Sequence, residues 1–141
     1  MIDLYTWHTP NGRKVSIMLE EIGIDYNVHS INIAKDEQFQ PHFLELSPNN
    51  RIPAIVDKDN NNYSLFESGA ILMYLAEKSG KLINKSISDE YFRTIEWLMW
   101  QMGGVGPMFG QVHHFVKYNK GKSAYAEERY FKDCLLYTSP S

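Results

Sequence analysis

Leu46-Ser47-Pro48-Asn49-Asn50-Arg51-Ile52-Pro53-Ala54-Ile55-Val56-Asp57 decides how this chain folds. The stretch leaves a short helical pattern, crosses a polar turn and enters an apolar strand through Ile52-Pro53. Proline has no N–H to give to a sheet, so here it marks an edge, a first strand position or a bulge. It also marks a place where a cis peptide is accessible, because an X–Pro bond loses most of the trans preference. A cis bond would turn the N–H and C=O of Ile52 outward, where an extended peptide could pair with them. The competing reading is an ordinary proline between a turn and a strand.

Before this stretch, Ile2 to Trp7 reads as a strand and Thr9-Pro10-Asn11-Gly12 as a dense turn signal. Val15, Met18, Leu19 and Ile22 then recur on one helical face, with Gly23 as the stop. Tyr26 to Ile33 reads as a second strand, with Tyr26, Val28, Ile31 and Ile33 as its apolar members. Lys35 to Gln38 is a polar loop, and Pro41 to Leu46 a short helix. After the stretch, Lys58-Asp59-Asn60-Asn61-Asn62 is a hairpin turn and Tyr63 to Phe66 the returning strand. Glu67-Ser68 opens a helix whose inner face is Ile71, Leu72, Tyr74 and Leu75. The order predicts an α/β domain, a mixed four-stranded sheet with the Pro53 strand beside the first.

Lys81 to Asp89 is a polar linker. Glu90 to Met102 reads as a helix with Ile95, Leu98, Met99 and Met102 buried, interrupted or kinked at Gly103-Gly104-Val105-Gly106-Pro107. A second helix is expected from about Ser123 to Cys134. Leu135 to Ser141 breaks the pattern without a stop signal. The domains expected are therefore 1–81, a partial all-α domain over 88–133, and a non-native tail over 134–141, in a chain read as truncated at its C-terminus.

Composition narrows the function classes. The chain has 141 residues, of which 43% are hydrophobic and 22% charged, as in a globular protein. A net charge of −3 does not indicate a nucleic-acid or anionic-membrane surface. The N-terminus lacks a signal-peptide pattern, and one cysteine, Cys134, leaves no internal disulfide or four-cysteine zinc site. A reducing, cytoplasmic setting is expected. His113-His114 lacks acidic or cysteine partners at ligand spacing, so no metal is expected. Trp97, Trp100, Phe109 and Phe115 read either as the wall of an electrophile pocket or as plain helix packing.

The element order, Ile52-Pro53 and Glu67-Ser68-Gly69-Ala70-Ile71-Leu72 together resemble the thioredoxin-like N-terminal domain of a cytosolic glutathione transferase, followed by the start of its all-α domain. Thr9 to Val15, Ser47 to Asp57 and Trp100 to Met108 are more narrowly similar to the bacterial nu-class group of glutathione-dependent disulfide-bond reductases. The family's helical domain is about twice as long as the part present here.

The resemblance implies glutathione as co-substrate and small disulfides or electrophiles as substrates. It also implies a homodimer at full length, and weaker conjugation or peroxidase activity beside disulfide reduction. Ser68, at a helix N-terminus, would meet the γ-glutamyl carboxylate, and Glu67 the ligand's amine. The plainer reading makes Ser68 an N-cap and Glu67 a favourable first-turn charge. Ile52, held by Pro53, would pair with the cysteinyl unit. Gln38 matches a ligand-bonding position, Arg51 one near the glycyl carboxylate, and Arg129 a helical-domain arginine that reaches the ligand. Arg51 reads equally as a solvated loop residue, and Arg129 as a surface charge paired with Glu127 or Glu128. Thr9 and Asn11 stand where relatives keep the group that donates to the thiol, with Tyr5 a rival inside the strand. The reading from a different class is a non-catalytic interaction or regulatory module on the same fold.

Overall fold

A computed structural model of the chain describes residues 1–84 and 86–138, the last two by backbone alone. Residues 139–141 of the expected tail lie outside the described residues. The chain divides into two units, Met1–Ser86 and a second from Ile87 onward.

The first unit runs β1 (Ile2–Thr6), α1 (Pro10–Ile22), β2 (Tyr26–Ser30), α2 (Pro41–Leu44), β3 (Ala54–Asp57), β4 (Tyr63–Phe66) and α3 (Ser68–Ser79). The sheet order is β2-β1-β3-β4, with β1 and β2 parallel and the other pairs antiparallel. This is a thioredoxin-like fold. Its first helix is written locally. Thr9 Oγ1 accepts from the Gly12 N–H at 3.2 Å and Pro10 occupies the first turn. Gly23 closes the helix at φ 72°, returning its N–H to the carbonyls of Leu19 and Glu20. Lys81 Nζ, from the segment after α3, donates to the Ile22 carbonyl at 2.7 Å.

Strand alternation sends Ile2, Leu4 and Ile55 to one face, where Val15, Met18, Leu19 and Ile22 of α1 and Ile71, Leu75 and Ala76 of α3 cover them. Burying each large side chain there contributes about 2 kcal/mol relative to leaving it exposed. The opposite face holds a smaller cluster of Ile31, Phe43 and Ala54, with Tyr5, Leu46, Ile52 and Phe66 packed against it. Asp57 is fully buried on the helix-covered face, where it accepts from Lys78 Nζ at 2.8 Å and Tyr74 Oη at 2.5 Å. The amide of Asp59 adds a third bond at 3.0 Å, so the carboxylate joins the β3–β4 hairpin to the last turns of α3.

Two expectations change here. β2 ends at Ser30, and Ile33 opens a 3-10 turn (Ile33–Lys35), followed by another at Glu37–Phe39. Val28 is 59% exposed, because β2 is an edge strand that the helices do not fully cover. The short helix stops at Leu44, two residues early.

The second unit contains α4 (Asp89–Trp100), α5 (Gly106–Val112) and α6 (Ala124–Thr138). Ser88 caps α4, accepting from the Tyr91 N–H at 3.2 Å. The glycine-proline segment interrupts the α-helical winding, as expected. Gln101–Val105 forms a π-helical turn in which the Gly106 N–H reaches back to the Gln101 carbonyl. The widened turn accommodates Pro107, whose ring would crowd the carbonyl four residues before it in a regular helix. A second π-helical stretch, His113–Tyr118, follows α5.

The expected stripe is not a core in this unit. No residue of α4 is buried, Ile95, Leu98 and Met102 are half-buried and Met99 is exposed. Nor does the helical pattern stop at Cys134, which is itself buried: α6 continues to Thr138.

Candidate functional site

Strand register brings the candidate residues to one end of the sheet. Tyr5 at the end of β1 pairs with Ala54 at the start of β3, and Ala54 pairs with Phe66 at the end of β4. Thr6 pairs with Ser30, the last residue of β2. The chain therefore leaves β1 toward Thr9, enters β3 from Ile52-Pro53, leaves β4 into Glu67-Ser68, and leaves β2 toward Gln38, all at the same end. Arg129 lies in the second unit.

The Ile52–Pro53 peptide is cis. Among the described residues, no backbone hydrogen bond involves Ile52, whose side chain packs against the Phe43 cluster. Pro53 is buried and Arg51 exposed. Ser47, fully buried, donates from Oγ to the Arg51 carbonyl at 2.7 Å and lies 2.8 Å from Asn49 Oδ1. Asn49 Nδ2 in turn donates to Glu67 Oε1 at 2.9 Å.

Glu67 holds a conformation unusual for a side-chain-bearing residue, φ 69° and ψ 112°. Such positions cost about 1–3 kcal/mol and persist where the surroundings determine them. Glu67, not Ser68, is the N-cap of α3, which corrects the plainer reading of that pair. Its carboxylate makes no capping bond and turns instead to Asn49. Ser68 is the first helical residue and is buried, where the unpaired N–H groups and dipole of a helix start favour an anion.

Thr9 uses one lone pair as the α1 cap, which leaves its own O–H free to point elsewhere. Asn11 is exposed in the first turn of the same helix. Tyr5 is engaged in packing, stacked on His29 at 4.6 Å between ring centroids and tilted against Phe43. Gln38, in the second 3-10 turn, has a buried side-chain oxygen with no hydrogen-bond partner among the described residues. A buried carbonyl is seldom left that way.

Lys14 was not singled out by the sequence. It follows Asn11 by one helical turn, and burial lowers its ammonium below the usual lysine range while the Glu67 carboxylate partly opposes that. The i, i+3 spacing from Asn11 was the available signal. Arg129 is exposed on α6, within 3.7 Å of Asp133 and 3.4 Å of Tyr125 Oη. The expected carboxylate partners are occupied elsewhere: Glu127 accepts from the Gly121 N–H and Glu128 from Lys132. The four aromatic residues also divide. Trp97 and Trp100 meet edge to face, whereas Phe115 stacks on Tyr130 and Phe109 is exposed.

A thioredoxin-like domain followed in sequence by helices, with a cis-proline turn beside a buried helix start, is the architecture of a known family. The glutathione S-transferase N-terminal domain family matches residues 1–77. The chain belongs to the glutathione S-transferase family. It is 50% identical over 134 residues to disulfide-bond oxidoreductase YfcG of Escherichia coli, across 92% of this chain and 62% of that protein. A glutathione transferase family member from Pseudomonas fluorescens, solved with two glutathione bound, is 49% identical with a TM-score of 0.91. A glutathione transferase from Pseudomonas putida, solved with one glutathione disulfide per subunit, is 46% identical with a TM-score of 0.86. Both similarities cover 96% of this chain, and 62% and 61% of those chains respectively. The chain thus spans less than two thirds of the length of these relatives.

Proposed function

We propose that this chain is the glutathione-binding part of an enzyme that reduces small disulfides by thiol–disulfide exchange. The observation that carries the proposal is the register, which gathers Thr9, Ile52, Glu67 and Ser68 at one end of the sheet, where no backbone hydrogen bond engages Ile52 among the described residues. The names of the relatives, a disulfide-bond oxidoreductase and transferases with glutathione or its disulfide bound, supply the ligand and the reaction.

Glutathione lies extended along this end of the sheet. Its γ-glutamyl carboxylate meets Ser68 and the start of α3, and its amine meets the Glu67 oxygen that Asn49 leaves open. The cysteinyl unit pairs with the main chain of Ile52, in the manner of an added strand. Gln38 gains a donor for its orphaned oxygen, and Arg51 supplies positive charge. A free thiol titrates near 8.5, and donors aimed at the sulfur favour the thiolate. The Thr9 O–H and Asn11 N–H provide them without becoming nucleophiles.

The thiolate attacks one sulfur of the disulfide, and the departing half leaves as a thiolate. A second glutathione thiolate attacks the mixed disulfide, releasing the other half and oxidised glutathione. Two glutathione molecules supply the two electrons, so no protein cysteine is consumed. This chemistry suits a reducing compartment such as the cytoplasm, with the longer protein acting as a homodimer. Conjugation to electrophiles is weaker.

The test is a tryptophan-fluorescence titration with reduced and oxidised glutathione, on the chain and on its Trp7→Phe variant. Saturable binding that loses its signal in the variant supports the site. A chain folded by circular dichroism that shows no response to either form overturns it.

A further inference from the structure

The turn before β3 and the start of α3 are far apart in sequence, yet one line of hydrogen bonds joins them. It runs from the Arg51 carbonyl to Ser47 Oγ at 2.7 Å, to Asn49 Oδ1 at 2.8 Å, and from Asn49 Nδ2 to Glu67 Oε1 at 2.9 Å. Ser47 is fully buried, Asn49 half-buried and Glu67 exposed, so the line passes through the interior and ends at the surface. Each group is used in one sense. The Ser47 hydroxyl has a single hydrogen shared between two acceptors, and the Asn49 amide accepts at one end and donates at the other.

We propose that Ser47 and Asn49 are positioning residues that lock the Arg51–Pro53 turn to the N-cap of α3, fixing the spacing between the Ile52 main chain and the Glu67 carboxylate. Those two groups grip adjacent units of one small peptide, and a clamp works only if its jaws keep a set separation. Glu67 needs such a hold. Its positive φ is not a conformation a glutamate takes unaided, and its side chain makes no cap bond of its own. Lys14 of α1 faces the same carboxylate with opposite charge, but a flexible ammonium sets no direction, whereas the planar amide of Asn49 does. Asn50, next along the turn, also sits at positive φ, 51°. The Asn50 N–H donates to the Ser47 carbonyl at 2.9 Å, so Ser47 holds the turn through its main chain as well as its hydroxyl.

The consequence for ligand rests on the glutathione reading above; the coupling of the two ends does not. The experiment compares the chain with Ser47→Ala, Asn49→Ala, the double variant and the near-isosteric Asn49→Asp. Glutathione affinity is read by calorimetry, and the Ile52 and Glu67 amide resonances by NMR.

Asn49→Ala is expected to weaken glutathione about tenfold, the scale of one lost hydrogen bond to a charged group, and to shift both resonances. The double variant should bind no more weakly than the weaker single, because one line broken twice is broken once. Asn49→Asp keeps the bond from Ser47 but sets a second carboxylate against Glu67, so it should bind more weakly than Asn49→Ala. Effects that multiply in the double variant, or a shift confined to one end, overturn the proposal. If the unaltered chain binds no glutathione, the site reading fails separately, and the resonances alone still decide whether the ends are coupled.

Discussion

Thr9 carries two duties that a variant can separate. Its oxygen caps α1 through Gly12, and its hydrogen remains for the ligand thiol. Removing the thiol donors with Thr9→Ala and Asn11→Ala together should reduce turnover of a small disulfide about tenfold more than it reduces glutathione affinity. Steady-state kinetics beside calorimetry checks this, and equal losses in both would sink the assignment. Gly12 is constrained from the other side. A methyl group there would lie 2.2 Å from Thr6 Oγ1 and 2.7 Å from the Trp7 carbonyl oxygen. Gly12→Ala should therefore destabilise the chain by about 2 kcal/mol, the scale of an overpacked contact, measured by urea unfolding. Adding Thr6→Ala should recover only part, because the Trp7 oxygen is main chain. Thr9, Ile52, Glu67 and Ser68 stood out in the sequence as short motifs, and the register brings them to one end of the sheet. Asn49 and Lys14 were not, because their partner Glu67 is distant in sequence and only the folded chain brings it near.

Elements whose ends are written locally were read well: α1 between Thr9 and Gly23, and β3 and β4 around an asparagine-rich turn. Elements whose limits depend on what covers them were not. β2 stops early because β1, the strand it pairs with, ends at Thr6 opposite Ser30, and the N-cap of α3 falls on Glu67 because of a backbone conformation that no propensity encodes. The hairpin–helix joint at Asp57 yields a pH prediction. Burial by itself would push the Asp57 carboxyl up, but the bonds from Lys78, Tyr74 and the Asp59 amide outweigh it and hold the carboxyl below its ordinary value. A depressed folded value stabilises the chain fully above the unfolded value, near pH 3.9, and that contribution fades as pH falls through the folded value. Asp57→Asn should lower the melting temperature at pH 7, by about 2 kcal/mol of lost stability, and should flatten the fall in acid. Some acid dependence will remain through Asp3, whose carboxyl burial also pushes up while Lys58, Asn27 and His29 hold it down. An unchanged acid profile would show that Asp57 does not govern the joint.

The two units differ in what holds them. Among the described residues, every buried apolar side chain except Cys134 lies before residue 87, whereas Trp97, Trp100, Phe109 and Phe131 are all exposed. The first unit has a core on both faces of its sheet; among the described residues, the second has helices without one. A chain ended at Ser86 should therefore keep a cooperative thermal transition by circular dichroism, and a gradual, featureless melt would contradict that. The same contrast explains why the first unit was legible and the second less so: periodicity finds a stripe, but not whether anything covers it. The π turn at Gln101–Val105 bears on how such a chain can change length. A π turn holds one residue more than an α turn over the same rise. Losing one of its glycines would restore ordinary winding and leave Gly106 onward in step, whereas the same deletion within α4 would rotate everything downstream. In terms of winding, this turn is a place where one residue can be removed without rewriting the helix that follows.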